Sequence, residues 1–145
     1  MTKDGIRDRI IDGMKKAGLK LTSQRLAIID ILAGTRSHPS AAALYDLAKK
    51  KAPTVSLSTV YLTLDVLKRA GLIKELEFNN RDSRYEGNVS DHLNLVCRKC
   101  GAIEDFPAAP PVPAPRVEKR TGFKVSGARL EYYGYCRSCL SRRTA

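Results

Sequence analysis

Apolar residues recur at helical spacing through the first half of the chain. Ile6, Ile10, Ile11 and Met14 fall on one stripe of a helix, and Gly18 closes that segment. Thr22 is a natural N-cap for a second helix that carries Leu26, Ile29, Ile31 and Leu32 and stops near Gly34. His38-Pro39-Ser40 is a break, after which Ser40 caps a third helix through Leu44, Leu47 and Ala48. Pro53 forces the next break, because it has no amide hydrogen to give to an interior turn. Ser56 or Ser58 then caps a fourth helix that ends at Gly71.

From Leu72 the period changes. Leu72-Ile73-Lys74-Glu75-Leu76-Glu77-Phe78 is strand-like, Asn79-Asn80-Arg81-Asp82 is turn chemistry, and Ser83-Arg84-Tyr85-Glu86 returns as a second strand. Helices followed by a short hairpin predict a winged helix-turn-helix over residues 1–84, with the hairpin as the wing. Residues 85–91 read as a hinge, and 92–145 as a different unit. There Leu93, Leu95 and Cys97 alternate with polar neighbours, and Phe123, Val125, Leu130 and Tyr132-Tyr133 suggest a second extended stretch. Between them, residues 107–115 hold five of the seven prolines, so this run is expected to be extended or polyproline-like and not an ordinary helix. The fold class is α+β.

Charge adds a partner class to this picture. The 145 residues carry a formal charge of +11, which favours polyanions through counterion release. A well-solvated basic surface is the plain alternative. The 43% apolar composition is that of a folded domain, and no apolar run is long enough to span a membrane. The first residues lack a secretory pattern, so a cytoplasmic protein is expected. Enzyme chemistry has little support: the His-x-Glu element of a zinc deaminase and any Gly-rich phosphate loop are missing. A zinc-stapled protein-interaction adaptor is the remaining alternative.

The fourth helix is the candidate reading element. With Val60, Leu64 and Leu67 on its buried face, 100° steps put Ser58, Thr59, Leu62, Asp65 and Arg69 on the opposite face, with Tyr61 on a flank. Hydroxyls at a helix N-terminus suit phosphates or base edges. Tyr61 and Leu62 can meet a thymine methyl, or else pack against the wing. Lys15, Lys16, Lys20 and Arg25 cluster around the start of the second helix as candidates for phosphate or minor-groove contacts.

Cys97-Arg98-Lys99-Cys100 and Cys136-Arg137-Ser138-Cys139 are two CxxC pairs separated by 35 residues. Two such knuckles complete a tetrahedron around one structural zinc and leave no open position for catalysis. Arg98, Lys99, Arg137, Arg142 and Arg143 would offset the formal −2 of a four-thiolate zinc site. Two redox dithiols are the alternative, although neither pair sits at the start of a clear helix in a βαβ unit.

Several motifs carry a family resemblance: Leu21-Thr22-Ser23-Gln24-Arg25, His38-Pro39-Ser40, Ser58-Thr59-Val60-Tyr61, Ala70-Gly71-Leu72-Ile73, Ser83-Arg84-Tyr85, Asp91-His92, Cys97-Arg98-Lys99-Cys100-Gly101, Asp105-Phe106 and Gly122-Phe123-Lys124-Val125. Together they resemble the ferric uptake regulator (Fur) superfamily over nearly the whole chain, and most of all its peroxide-responsive repressors (PerR). The resemblance implies a homodimeric, metal-dependent repressor of transcription that binds double-stranded DNA at an AT-rich inverted repeat. It implies a winged helix followed by a small α/β dimerisation domain held by one structural zinc per protomer. It also implies a regulatory iron(II) or manganese(II) site at His38, Glu86, His92, Asn94 and Asp105, where peroxide leads to oxidation of a histidine. Two positions depart from the pattern. Asn94 stands where the family has a histidine, and Glu86 where peroxide sensors usually have aspartate; Asp105 follows the peroxide branch. An iron- or zinc-sensing regulator, or one with a weakened or absent regulatory site, is the alternative.

Overall fold

A computed structural model describes residues 2–78 and 81–142. They form two compact units, Met1–Val89 and Ser90–Ala145.

The first unit holds α1 (Lys3–Lys16), α2 (Ser23–Gly34), α3 (Ala41–Lys51) and α4 (Leu57–Arg69), then the hairpin β1 (Lys74–Phe78) and β2 (Arg81–Glu86). Each helix starts where a hydroxyl accepts an orphan amide: Thr2 from Gly5, Thr22 from Arg25, Ser40 from Ala43 and Ser56 from Thr59. Ser56 and not Ser58 therefore caps α4. The stops use left-handed backbone, with Gly18 at φ 68° and Gly71 at φ 70°. One apolar cluster joins all four helices to the wing, with Ile10, Met14, Ile28, Leu32, Leu44, Val60, Leu64 and Leu67 packed against Ile73 and Tyr85.

β1 and β2 pair antiparallel, Lys74 opposite Glu86 and Phe78 opposite Arg81, with an irregularity between Leu76 and Phe78. Arg81 and Asp82 thus belong to a strand and not to the predicted turn; ladder pairing to Phe78 overrides their turn propensity. The turn residues Asn79 and Asn80 lie outside the described residues, as does Arg143. β2 runs through Glu86, two residues into the stretch read as a hinge, because Glu86 still has a ladder partner in Lys74.

The second unit is β3 (Leu93–Cys97), β4 (Ile103–Phe106), α5 (Ala114–Thr121), β5 (Leu130–Gly134) and α6 (Arg137–Ser141). The sheet order is β4-β3-β5, with β3 antiparallel to β4 and parallel to β5. Three expectations are corrected here. The second extended stretch begins only at Leu130, and Phe123–Val125 takes no strand pairing. The proline run is irregular as far as Pro113, but Ala114 and Pro115 open α5, because a first helical turn needs no amide hydrogen from proline. The alternation in β3 is reversed: Asn94 and Val96 are buried while Leu93 and Leu95 are half-buried.

Among the described residues of this unit, only Val96, Cys97, Ile103 and Cys139 are buried apolar side chains. Phe106, Phe123, Tyr132, Tyr133 and Tyr135 stay exposed. So small an apolar core does not stabilise a domain of this size, and another source of stability is required.

Candidate functional site

The four cysteines supply that source. The turn after β3 is fixed by Gly101 N–H donating to the Cys97 carbonyl at 2.9 Å, with Gly101 at φ 75°. Arg98 N–H donates to the Gly134 carbonyl at 2.8 Å, which ties this knuckle to the end of β5. The second knuckle follows at once: Cys136 is the N-cap residue of α6 and Cys139 lies within it. The second pair thus opens a five-residue helix, which is not part of a βαβ unit among the described residues. Even so, the four sulfurs form one group, with all ligand atoms within 4.8 Å of one another.

Cys100 Sγ and Cys136 Sγ are 3.7 Å apart. A tetrahedron with metal–sulfur bonds of about 2.3 Å has edges of about 3.8 Å, whereas a disulfide bond is about 2.05 Å long. All four cysteines are free. Backbone amides of Cys100 and Cys136 hold the Cys97 thiol down at about 5. Burial, reinforced by the neighbouring sulfurs, pushes the Cys139 thiol up to about 12. Cys97 is thus the readier thiolate and Cys139 the more reluctant one. The residues fit a structural zinc. Arg98 adds a nearby positive charge and stacks its guanidinium 5.5 Å from the Tyr133 ring centroid.

The first unit buries a second kind of donor. His38 is 2% exposed, and its Nε2 lies 3.0 Å from Glu86 Oε2. Its backbone is left-handed at φ 51°, among the described residues the one non-glycine with positive φ. A strained residue of this kind persists only where its surroundings over-determine it, and such residues cluster at functional sites.

In the second unit, His92 Nδ1–H donates to the Ser90 carbonyl at 2.7 Å. That bond turns Nε2 toward Asp105, 3.5 Å from its Oδ1. Asn94 is paired across the ladder with Asp105 and is 3% exposed. Its Oδ1 is buried with no hydrogen-bond partner among the described residues. His92, Asn94 and Asp105 therefore present three donors with the chemistry of a metal site.

The outward face of α4 carries Ser58, Tyr61 and Leu62, the last two 54% and 65% exposed. Tyr61 and Leu62 line an open cleft of about 520 Å³ together with Asp82, Ser83 and Tyr85 of β2. Thr59 is half-buried, and its hydroxyl is engaged 2.9 Å from Ser56 Oγ. Lys15 and Lys20 are exposed, while Arg25 is half-buried and donates to the Lys20 carbonyl at 2.6 Å. Arg84, singled out in the sequence only within a motif, turns out to clamp the loop that carries His38. No local signal predicts this, because its partners lie far away in sequence.

Among proteins of known role, a peroxide operon regulator from Bacillus subtilis (strain 168) is 39% identical over 134 residues, spanning 91% of this chain and 92% of that protein. The Campylobacter jejuni peroxide stress regulator superposes with a TM-score of 0.68 at 32% identity, covering 89% of this chain and 98% of the other. The Helicobacter pylori ferric uptake regulator, whose structure is described as revealing three functional metal binding sites, gives a TM-score of 0.70 at 26% identity, covering 97% and 95%. The sequence pattern of the ferric uptake regulator family matches residues 16–133, and the chain belongs to that family.

Proposed function

We propose that the protein is a metal-dependent transcriptional repressor that binds DNA as a homodimer and answers to peroxide. The observation that carries this reading is its two sets of buried donors: His38 with Glu86, and His92 with Asn94 and Asp105. In this reading the five share one regulatory ion, iron(II) or manganese(II), while Cys97, Cys100, Cys136 and Cys139 keep one structural zinc per protomer. Bound iron(II) would activate peroxide there, and peroxide would take two electrons from an imidazole, leaving one oxygen on the ring and releasing the other as water. His38 and His92 are the two histidines of the chain. An oxygen added to an imidazole therefore falls on one of them and removes a donor from the set, and the repressor leaves its operator.

The DNA partner follows from α4 and the charge of +11. Ser58, Thr59, Tyr61 and Leu62 read the major groove, with Lys15, Lys20 and Arg25 on the flanking backbone. Exposed Tyr61 and Leu62 favour thymine methyls, hence AT-rich sites. Exposed Phe123, Tyr132 and Tyr133 support self-association. A two-fold dimer requires an inverted repeat.

Mass spectrometry after exposure to iron(II) and peroxide tests the reading, alongside operator binding. One added oxygen on the peptide holding His38 or His92, with loss of DNA binding, is expected. Unmodified histidines with DNA binding intact would reject peroxide sensing. Glu86 and Asn94 favour one second reading, in which occupancy of the site is itself the signal; chelation would then release the operator while peroxide leaves both histidines unmodified.

A further inference from the structure

We propose that Asn94 binds the regulatory metal through its amide oxygen, and that this oxygen shifts the site's preference away from zinc(II) and toward manganese(II). The inference rests on the five-residue donor set proposed above.

Asn94 is directly opposite Asp105 in the β3–β4 ladder and two residues from His92. Residues so related share one face of a sheet. On that face the His92 Nδ1 proton is committed to the Ser90 carbonyl, which leaves Nε2 toward Asp105. Asn94 Oδ1 is buried beside these donors without a hydrogen-bond partner among the described residues. A buried amide oxygen is costly unless a donor or a cation satisfies it. A cation held by His92 and Asp105 satisfies it.

The consequence is selectivity. Two histidines are all the chain has, so the proposed set is two imidazole nitrogens and oxygens from Glu86, Asn94 and Asp105. Carboxylate and carbonyl oxygens suit manganese(II), whereas imidazole favours zinc(II). Zinc(II) outranks manganese(II) at any nitrogen and oxygen site, so the effect is a smaller zinc-to-manganese ratio than the same site would show with a third imidazole.

The test uses the full-length dimer with its structural zinc loaded. Manganese(II) and zinc(II) affinities at the second site are measured by chelator competition for the parent, Asn94→Ala and Asn94→His. Thermal melting is followed with and without manganese(II). Asn94→Ala should weaken manganese(II) binding by about tenfold or more. Without a second ion it should melt at or above the parent, because it deletes an unsatisfied buried amide. Asn94→His should gain at least about tenfold for zinc(II) over the parent, while its manganese(II) affinity changes far less. Unchanged manganese(II) binding in Asn94→Ala would overturn the inference. So would a melting loss equal with and without the ion, the mark of a purely structural residue. If the parent itself takes up no second ion, the five-residue reading falls first, and this inference falls with it.

Discussion

Arg84 grips His38 by its backbone. Its Nε donates to the His38 carbonyl, and its Nη2 donates to the Ser37 carbonyl at 2.7 Å. The next residue, Tyr85, donates its N–H to the Pro39 carbonyl at 3.0 Å. β2 thereby ties down three consecutive loop residues, and the imidazole that faces Glu86 is placed by the same strand that forms the wing.

Arg84→Ala is expected to destabilise the first unit by about 1–3 kcal/mol, the cost of leaving charge-assisted hydrogen bonds unmade. Arg84→Lys should recover only part of the loss, because a lysine cannot reproduce the planar fork. Urea unfolding of the three proteins measures this. Equal stability of Arg84→Ala and the parent would refute the clamp.

The zinc knuckles should control the second unit far more than the first. Chelation under reducing conditions, or Cys139→Ser, is expected to abolish ordered structure in residues 90–142 while the helices of the first unit persist. Apparent binding energies of structural zinc are about 10–16 kcal/mol, beyond what four buried apolar side chains contribute. Circular dichroism and limited proteolysis distinguish the units. Loss of both together would show that the first unit depends on the metal as well.

DNA contacts should separate by type. Tyr61→Ala and Leu62→Ala remove exposed side chains and should leave the melting temperature unchanged. They should weaken operator binding by about 1–3 kcal/mol and relax sequence preference. Lys20→Ala should weaken operator and random DNA alike and lower the salt slope by about one. Fluorescence anisotropy against salt, on both duplexes, reports each pattern. Equal loss on both duplexes for Leu62→Ala would remove it from base reading.

The Lys68–Glu75 pair, which joins α4 to β1, gives the wing an acid-side pH dependence. Burial raises the Glu75 carboxyl, but hydrogen bonds from Lys68, Ser83 and Tyr85 outweigh it and hold the group below the usual carboxylate range. The folded value is depressed, so the stabilisation is complete above the unfolded value of about 4.3 and is lost as pH falls through the folded one. Lys68 is raised, chiefly by its hydrogen bond to Glu75. Its share is complete below about 10.4 and disappears at higher pH. Lys68 is 43% exposed, so screening limits the pair to about 0.5–1 kcal/mol. Glu75→Gln should flatten the acid side of a stability–pH curve; an unaltered slope would assign the effect to other carboxylates.

The first unit was readable from sequence because each helix announces itself twice, by a hydroxyl cap and by a glycine or proline stop. The second unit was not. β4 is four residues, Ile-Glu-Asp-Phe, too short for alternation to register. α5 buries no residue, so it has no apolar stripe to reveal it. α6 spans five residues and is fixed by cysteines rather than by propensity. β3 misled because its buried face carries Asn94, a polar residue where periodicity expects an apolar one. The cysteine cluster was legible through its spacing. The hold of Arg84 on His38 spans 46 residues and exists only once the wing has folded back.

The distance along the chain between the two knuckles has a biosynthetic consequence. A ribosome must add 35 residues after Cys100 before Cys136 exists. Until then a nascent chain can offer an ion only half of its thiols. The zinc site therefore closes only once the second knuckle has been made, and its closure depends on zinc supply. In a zinc-starved cell, newly made molecules would have a finished head and an unfinished tail that proteases can clear.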